Sequence, residues 1–241
     1  MTGFLSSRAA LPLVAAVAAL LGAGATWLVQ RSASGDAVRD YLMAHPEVLP
    51  EAMAKLEERN AAKTIVANSA DIVPAIGTAW AGNKDGDVTV VEYLDYNCGY
   101  CKAAVPIVKD LIAADPKVKI VYREWPVLSD ESVTAGRYGM VVARMGGDYA
   151  KLHDAFYANH PLTNEGMEAA VRAAGLDPAT VKKAAADPQV DETIRVNLAL
   201  MRQLSQSGTP AWIIGNKVYS GMMSIDQMKA AVAAARKNNP A

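Results

Sequence analysis

The chain has 241 residues, of which 51% are hydrophobic, and its 24 basic and 25 acidic residues give a formal net charge of -1. This length is enough for one domain of good size with an appendage, and the balanced charge gives no electrostatic case for nucleic-acid binding. The two cysteines, Cys98 and Cys101, are too few for a disulfide framework or a four-cysteine zinc site.

The N-terminus is strongly apolar. After Arg8 there is no charged side chain before Arg31, and as a helix this stretch would span about 30 Å, the thickness of a bilayer core. Residues 1–31 therefore predict either a signal peptide, cleaved near Ala23–Ala25, or an uncleaved membrane anchor. The length of the stretch favours the anchor. Both interpretations export the rest of the chain into an oxidising compartment.

A helical segment is predicted at 36–70. Ser32–Asp36 is polar and predicts a linker, and from Asp36 apolar residues recur at three- and four-residue steps, as in an amphipathic helix. Pro46 and Pro50 interrupt this pattern. The apolar stripe either packs on its own domain or pairs with copies of itself, so residues 36–67 are a candidate homo-oligomerisation segment.

The remaining residues, 71–241, alternate between strand and helix patterns. Around residues 129–208 the pattern is helical throughout, with N-cap residues at Ser129, Thr163, Asp177 and Asp187. The other predicted elements are a connector at 71–87, a strand at 88–96, a helix at 102–114, a strand at 117–125, a hairpin at 211–219 and a final helix opened by a capping box at 224–227. This order is typical of an α/β domain with a helical insertion.

Cys98-Gly99-Tyr100-Cys101 lies where the first strand gives way to a helix. Unpaired N–H groups and the helix dipole at that point favour a thiolate on Cys98. Cys101, one turn later, can attack a mixed disulfide formed on Cys98. A stapling disulfide would close too short a loop to stabilise the fold much, and a metal site would need further ligands. The spacing therefore favours a redox pair.

Two further features have open interpretations from sequence alone. Glu92, six residues before Cys98 in an apolar strand, is either solvent-facing or a buried acid beneath the cysteines, and composition favours the solvent-facing interpretation. If it is buried, its pKa should rise and it could relay protons to Cys101. Thr209-Pro210 precedes a strand, and a proline is tolerated at the start of a strand without any functional role.

The chain resembles thioredoxin-fold proteins of the DsbA family. The resemblance is carried by the run Val91–Cys101, by Tyr122-Arg-Glu-Trp-Pro-Val127, by the helical insertion and by Gly208-Thr-Pro-Ala-Trp212. Within that family it is most similar to the ScsC/Com1-like branch, on the segment Tyr41–Leu49. The resemblance implies a thioredoxin fold with a helical insertion, preceded by the N-terminal helical segment.

The resemblance also implies roles for individual residues. Cys98 would be the nucleophile and Cys101 the resolving cysteine, with Pro210 the cis-proline facing them. Thr209 would lend backbone hydrogen bonds to an extended substrate, and Glu92 would be the family's buried acid. No cofactor and no resident metal is implied.

The expected function is that of a periplasmic thiol:disulfide oxidoreductase or isomerase. Its partners would be exported proteins with thiols or disulfides and a membrane or periplasmic redox protein. It would be anchored in the inner membrane, or soluble after signal cleavage. Gly99-Tyr100 replaces the histidine-containing interior of the strongly oxidising members, so a less oxidising pair is expected. The alternative is a copper-binding module that uses the same dithiol.

Overall fold

The computed structural model describes residues 10–159 and 161–238, apart from the side chains of residues 10–15 and 28–35. The elements in chain order are α1 (Ala10–Ala44), α2 (Val48–Ala67), α3 (Ser69–Ile72), β1 (Trp80–Gly82), β2 (Val88–Leu94), α4 (Gly99–Ala114), β3 (Val118–Glu124), α5 (Asp130–Arg144), α6 (Tyr149–Ala158), α7 (Asn164–Ala173), α8 (Pro178–Ala184), α9 (Pro188–Gln203), β4 (Ala211–Ile214), β5 (Lys217–Ser220) and α10 (Ile225–Asn238).

The chain divides into two compact units, Met1–Glu57 and Glu58–Ala241. In the first unit, α1 continues through Ser32–Asp36, so the predicted linker is wrong. Within the part of the chain that is described, no helix is long and apolar enough to cross a membrane, and the predicted anchor is therefore not supported. The first nine residues of that prediction lie outside the described residues.

The second unit is built on a five-stranded sheet in the order β1-β3-β2-β4-β5. Strands β2 and β3 run parallel, with Glu92 opposite Tyr122 and Leu94 opposite Glu124. Strands β1 and β4 pair antiparallel with β3 and β2 respectively, and β5 closes the predicted hairpin on β4. The predicted connector over residues 71–87 contains the end of α3 and strand β1, and neither of these elements was predicted.

The predicted helical insertion is confirmed as five helices, α5 to α9. Four of them begin at the predicted caps, where a side-chain oxygen of Ser129, Thr163, Asp177 or Asp187 accepts a hydrogen bond from a backbone N–H of the first turn. The predicted capping box of α10 is also present, since Gln227 N donates to Ser224 Oγ and Ser224 N donates to Gln227 Oε1.

Both faces of the central strands are buried. One face packs against α4, α10 and the insertion helices, and includes Val90, Leu94, Ile120 and Tyr122. The other packs against the end of α9 and against Ile65 and Ile72, and includes Val91, Tyr93 and Val121. A side chain on β2 or β3 is therefore buried whichever way it points.

Candidate active site

Cys98 is the N-cap residue of α4, as predicted from its position between strand and helix. Its backbone N–H donates to the carbonyl oxygen of Asp95 at 3.0 Å, which turns the chain after β2. Its Sγ accepts a hydrogen bond from the backbone N–H of Cys101 at 3.4 Å. The sulfur therefore lies where the first turn of a helix presents unpaired N–H groups, which favours negative charge.

The two thiols differ in environment. Both are free, with 7% of Cys98 exposed and none of Cys101. Hydrogen bonding with the Cys101 side chain, supported by backbone N–H groups, lowers the pKa of Cys98 to about 5 against the opposing effect of burial. Burial raises the pKa of Cys101 far above that of an ordinary thiol. The lowered pKa favours the thiolate form of Cys98 at neutral pH, whereas the raised pKa of Cys101, one helical turn later, favours its protonated form.

The loop before β4 faces this pair. The Thr209–Pro210 peptide bond is cis, and Cys98 Sγ lies 3.2 Å from the carbonyl oxygen of Thr209, which accepts a hydrogen bond from Cys98 when that residue is a protonated thiol. The Pro210 carbonyl accepts from Gly221 N at 2.8 Å, which ties the loop to the end of β5. The structure therefore brings together two predicted groups that are 111 positions apart in sequence.

Glu92 is buried, with 2% of it exposed, so the solvent-facing interpretation favoured by composition is wrong. It lies on β2 opposite Tyr122, whose side chain is in the core beneath α4. Burial raises the pKa of Glu92 to about 8, and the negative charges of Cys98 and Glu124 add to the effect. The group can therefore exchange a proton near neutral pH.

Sequence reasoning missed Asp95, the residue that organises the loop before Cys98. It is 1% exposed, and its carboxylate accepts four hydrogen bonds. The donors are Asn97 N at 2.8 Å, Val127 N at 2.8 Å, Leu128 N at 3.0 Å and Ser132 Oγ at 2.6 Å. These bonds join the active-site loop to the segment after β3. The sequence signal that could have identified Asp95 is its position as an acidic residue directly after a buried strand.

Sequence reasoning also missed a second buried acid, Glu124 at the end of β3. It is 4% exposed and accepts hydrogen bonds from the hydroxyls of Tyr149 at 2.8 Å and Tyr96 at 3.2 Å. Burial raises the pKa of Glu124 to about 8 in spite of these donors. Its charge acts on Glu92, so the two carboxyls beneath the dithiol are coupled.

The described residues contain no group of three or more His, Cys, Asp or Glu side chains placed to hold a metal ion. His153, which lies in the same core, is buried among tyrosine rings. Its ring centroid is 4.7 Å from that of Tyr122 and 4.9 Å from that of Tyr157. The site presents two free thiols, Cys98 and Cys101, together with the buried carboxyls of Glu92 and Glu124.

Comparison with known proteins agrees with this geometry. Residues 75–234 match the thioredoxin family, and residues 30–63 match the N-terminal domain of the copper resistance protein ScsC. The chain therefore belongs to the thioredoxin family.

The similar solved structures include the following three. A thioredoxin-like oxidoreductase from Silicibacter pomeroyi DSS-3 is 35% identical, with 66% of this chain and 91% of that chain covered and a TM-score of 0.60. The thiol-disulfide exchange protein alpha-DsbA2 from Wolbachia pipientis is 25% identical (73% and 96% covered, TM-score 0.65). A periplasmic thioredoxin-like protein from Salmonella enterica serovar Typhimurium is 29% identical (69% and 94% covered, TM-score 0.62).

Curated relatives are larger. Part of the Na(+)/H(+) antiporter NhaA 3 from Salinispora tropica is 27% identical over 157 residues, which is 64% of this chain and 24% of that protein. The NhaA 1 antiporter of Salinispora arenicola matches similarly, at 28% over 158 residues. The chain thus spans about a quarter of the length of these relatives.

Proposed function

We propose that the protein forms or isomerises disulfides in exported proteins, with Cys98 as the attacking thiol and Cys101 as the resolving thiol. The observation that supports this assignment is the contrast between the two thiols. Cys98 is the helix N-cap with a lowered pKa, whereas Cys101 is fully buried with a raised one. A thiolate is the nucleophile in disulfide exchange, so Cys98 attacks first.

The proposed isomerase cycle begins with the reduced pair. The Cys98 thiolate attacks a non-native disulfide of the client, forms a Cys98–client disulfide and releases one client thiolate. That thiolate can attack another client disulfide and so rearrange the pairing. If the complex stalls, Cys101 attacks the Cys98 sulfur, the Cys98–client bond breaks, and the client leaves reduced while Cys98 and Cys101 form a disulfide. In oxidase mode the same steps run in reverse.

We assign Glu92 the proton transfer that the resolving step needs. Cys101 must lose its proton before it can attack, and burial opposes that loss. Glu92 is buried on the strand that leads to the dithiol, and its charge acts on Cys101. Its pKa of about 8 lets a part of the population be ionised at neutral pH and accept this proton.

Thr209 and Pro210 are proposed as the client-binding edge. The Thr209 carbonyl lies 3.2 Å from Cys98 Sγ, so a client sulfur bonded to Cys98 would lie next to this loop. Nearby in sequence to Cys98, Tyr100 is 68% exposed and offers an apolar contact. An extended client segment can use the backbone of Thr209 for hydrogen bonds while its cysteine reacts.

The assignment is tested by insulin reduction and by refolding of scrambled ribonuclease. Cys98→Ala should abolish both activities, and activity that survives this change would contradict the proposal. Cys101→Ala should retain the first attack and accumulate a covalent client complex, because the resolving thiol is missing. An exposed-residue control, Lys102→Ala, should leave both activities unchanged.

The direction of exchange in the cell is a separate question. Gly99 and Tyr100 provide no imidazolium between the cysteines, so we propose a pair less oxidising than one with a histidine there. Equilibration of Cys98–Cys101 with glutathione measures this directly. A strongly oxidising value would favour an oxidase, and a more reducing value an isomerase or reductase.

We propose that the N-terminal segment assembles copies of the chain. Within residues 36–57 of the first unit, six large apolar side chains are more than half exposed, namely Val38, Tyr41, Met43, Leu49, Met53 and Leu56. In the second unit, Ile65 is buried in the core, so the tested deletion should stop at Glu57 although the predicted segment was 36–67. Light scattering of residues 36–241 should give an oligomer and of residues 58–241 a monomer. A monomer in both cases would contradict the proposal.

We propose that the site acts in the periplasm, either tethered to the inner membrane or soluble. The support is the apolar N-terminal stretch and the similarity to a periplasmic thioredoxin-like protein. Fractionation of cells that express the whole chain tests it. Release with the periplasmic contents would favour the soluble form, whereas membrane retention would favour the tether, and recovery with the cytoplasm would contradict both.

Copper binding is the second candidate, because residues 30–63 match the N-terminal domain of a copper resistance protein. Two free thiols on one helical turn are suitable soft ligands for Cu(I). Titration of the reduced protein with Cu(I) against a chelator separates the candidates. Tight one-to-one binding without disulfide exchange would favour the copper module.

A further inference from the structure

Glu124 forms a closed triangle with two tyrosine hydroxyls. Its Oε1 atom is 2.8 Å from Tyr149 Oη and 3.2 Å from Tyr96 Oη, and the two hydroxyls are 2.9 Å apart. Each hydroxyl has one proton to donate. If the carboxyl is ionised, two protons must serve three contacts. A protonated carboxyl supplies the third proton, so the geometry suits a Glu124 that can hold a proton.

The triangle lies between the redox loop and the helical insertion. Tyr96 is two residues before Cys98, and Tyr149 is in the first turn of α6. Helix α5 covers the carboxyl so closely that a Cβ at Gly139 would lie 2.3 Å from Oε1. The site is therefore shielded from water by groups from three elements, which makes any charge there costly and its effect on neighbouring groups strong.

Glu92 shares this environment. Its partner across the parallel ladder is Tyr122, and Glu124 is two residues further along the same strand, on the same face of the sheet. The other titratable groups that face Glu124 are Asp95 and Tyr96 from the loop after β2, and Tyr149 and Tyr157 from α6. His153 of α6 packs against the rings of Tyr96 and Tyr149, and burial lowers its pKa, which favours the neutral imidazole. None of these groups is a cation, so one negative charge in the cluster disfavours a second.

We propose, on the basis of the function proposed above, that Glu124 is a positioning residue of the redox reaction. Its protonation is controlled by Tyr96 and Tyr149, and it sets the pH at which Glu92 can take the proton of Cys101. When Glu124 holds its proton, Glu92 can ionise and accept the Cys101 proton. The Cys101 thiolate then attacks Cys98 and the client leaves as a thiolate, which takes a proton from water. When Glu124 is charged, ionisation of Glu92 is disfavoured.

The test is the pH profile of the resolving step in the full chain. A client peptide is attached to Cys98 by a disulfide, and its release is followed in a single turnover. Glu124→Gln keeps the size of the side chain and removes its charge, so the acid limb of the profile should move to lower pH with the plateau rate kept within about twofold. Glu92→Gln should remove the limb. Glu165→Gln, an exposed carboxyl on α7, should behave as wild type.

Tyr149→Phe gives an independent test if Glu124→Gln does not fold. It removes the stronger donor to the Glu124 carboxylate, so Glu124 stays protonated to higher pH and the limb should again move to lower pH. An unchanged limb in folded Glu124→Gln or Tyr149→Phe protein would overturn the inference. Wild-type protein that releases no client at any pH would instead overturn the proposed function.

Discussion

The acidity of Cys98 gives the sharpest quantitative prediction. The pKa of this thiol falls from its ordinary value of 9.0 to about 5. At pH 7 the thiol should therefore be about 99% ionised, against about 1% for an unperturbed thiol. Because only the thiolate reacts, its alkylation rate should rise with pH through a midpoint near 5 and then level off, long before the buried Cys101 reacts.

The perturbation that tests the cause is removal of the Cys101 side chain. Hydrogen bonding with that side chain is the largest contribution to the lowered pKa, and backbone N–H groups of Cys101 and Tyr100 add to it. Cys101→Ala removes the first and keeps the second. The pKa of Cys98 should rise but stay below 9, and each unit of that rise should slow alkylation about tenfold at pH well below the midpoint.

The assay is the rate of iodoacetamide alkylation of the reduced protein from pH 3 to pH 10, with the ultraviolet absorbance of the thiolate as an independent signal. Cys101→Ser restores a donor and should recover part of the acidity, whereas Cys98→Ala should remove the low-pH transition. A wild-type midpoint near 9 would refute the assignment of Cys98 as the activated thiol. A Cys101→Ala midpoint equal to that of wild type would refute the hydrogen-bond explanation.

Two stability predictions follow from the buried acids. Gly139→Ala should destabilise the fold by about 1–3 kcal/mol, since its Cβ would meet Glu124 Oε1 at 2.3 Å. A Cβ at Gly136, on the same helix, would have no contact under 3.4 Å, so Gly136→Ala should leave the free energy of unfolding unchanged or raise it by up to about 1 kcal/mol. Equal effects of the two substitutions in urea unfolding would contradict the argument. Asp95→Asn places an amide N–H against buried donors and should lower the free energy of unfolding by about 2–4 kcal/mol. The control Asp130→Asn changes an exposed residue and should have little effect. A smaller loss of stability for Asp95→Asn than for Asp130→Asn would contradict the role given to Asp95.

The parts of the fold that are encoded locally could be predicted from sequence. Asp177 and Asp187, each followed by a proline, marked helix starts because an N-cap and a proline at the first helical position act within one turn. The turn at Gly215, with a φ of 59°, marked the hairpin for the same reason. The redox pair was recognisable because its spacing and its position at a helix start are also local.

The parts of the fold that depend on distant contacts could not be predicted from sequence. Strand β1 has only three residues and forms because it pairs with β3, so its own sequence is too short for an alternating pattern to predict it. The linker prediction at 32–36 failed because a glycine and two serines cost a helix only about 1–2 kcal/mol, less than nucleating a second helix. Alternation also could not place Glu92, since both faces of its strand are buried.

The same alternation explains why Glu92 and Glu124 have no cationic partner among the residues that the structure describes. Arg123 is adjacent to Glu124 in the chain, but successive residues of a strand point to opposite faces. Its guanidinium, 3% exposed, donates to the carbonyl oxygens of Asp71 at 2.6 Å and Ile72 at 3.1 Å on the far side of the sheet. A cation on the near side would lower the pKa of Glu92 and of Glu124 and so favour their ionised forms. With the arginine on the far side, both carboxyls keep the proton affinity that a relay near neutral pH requires.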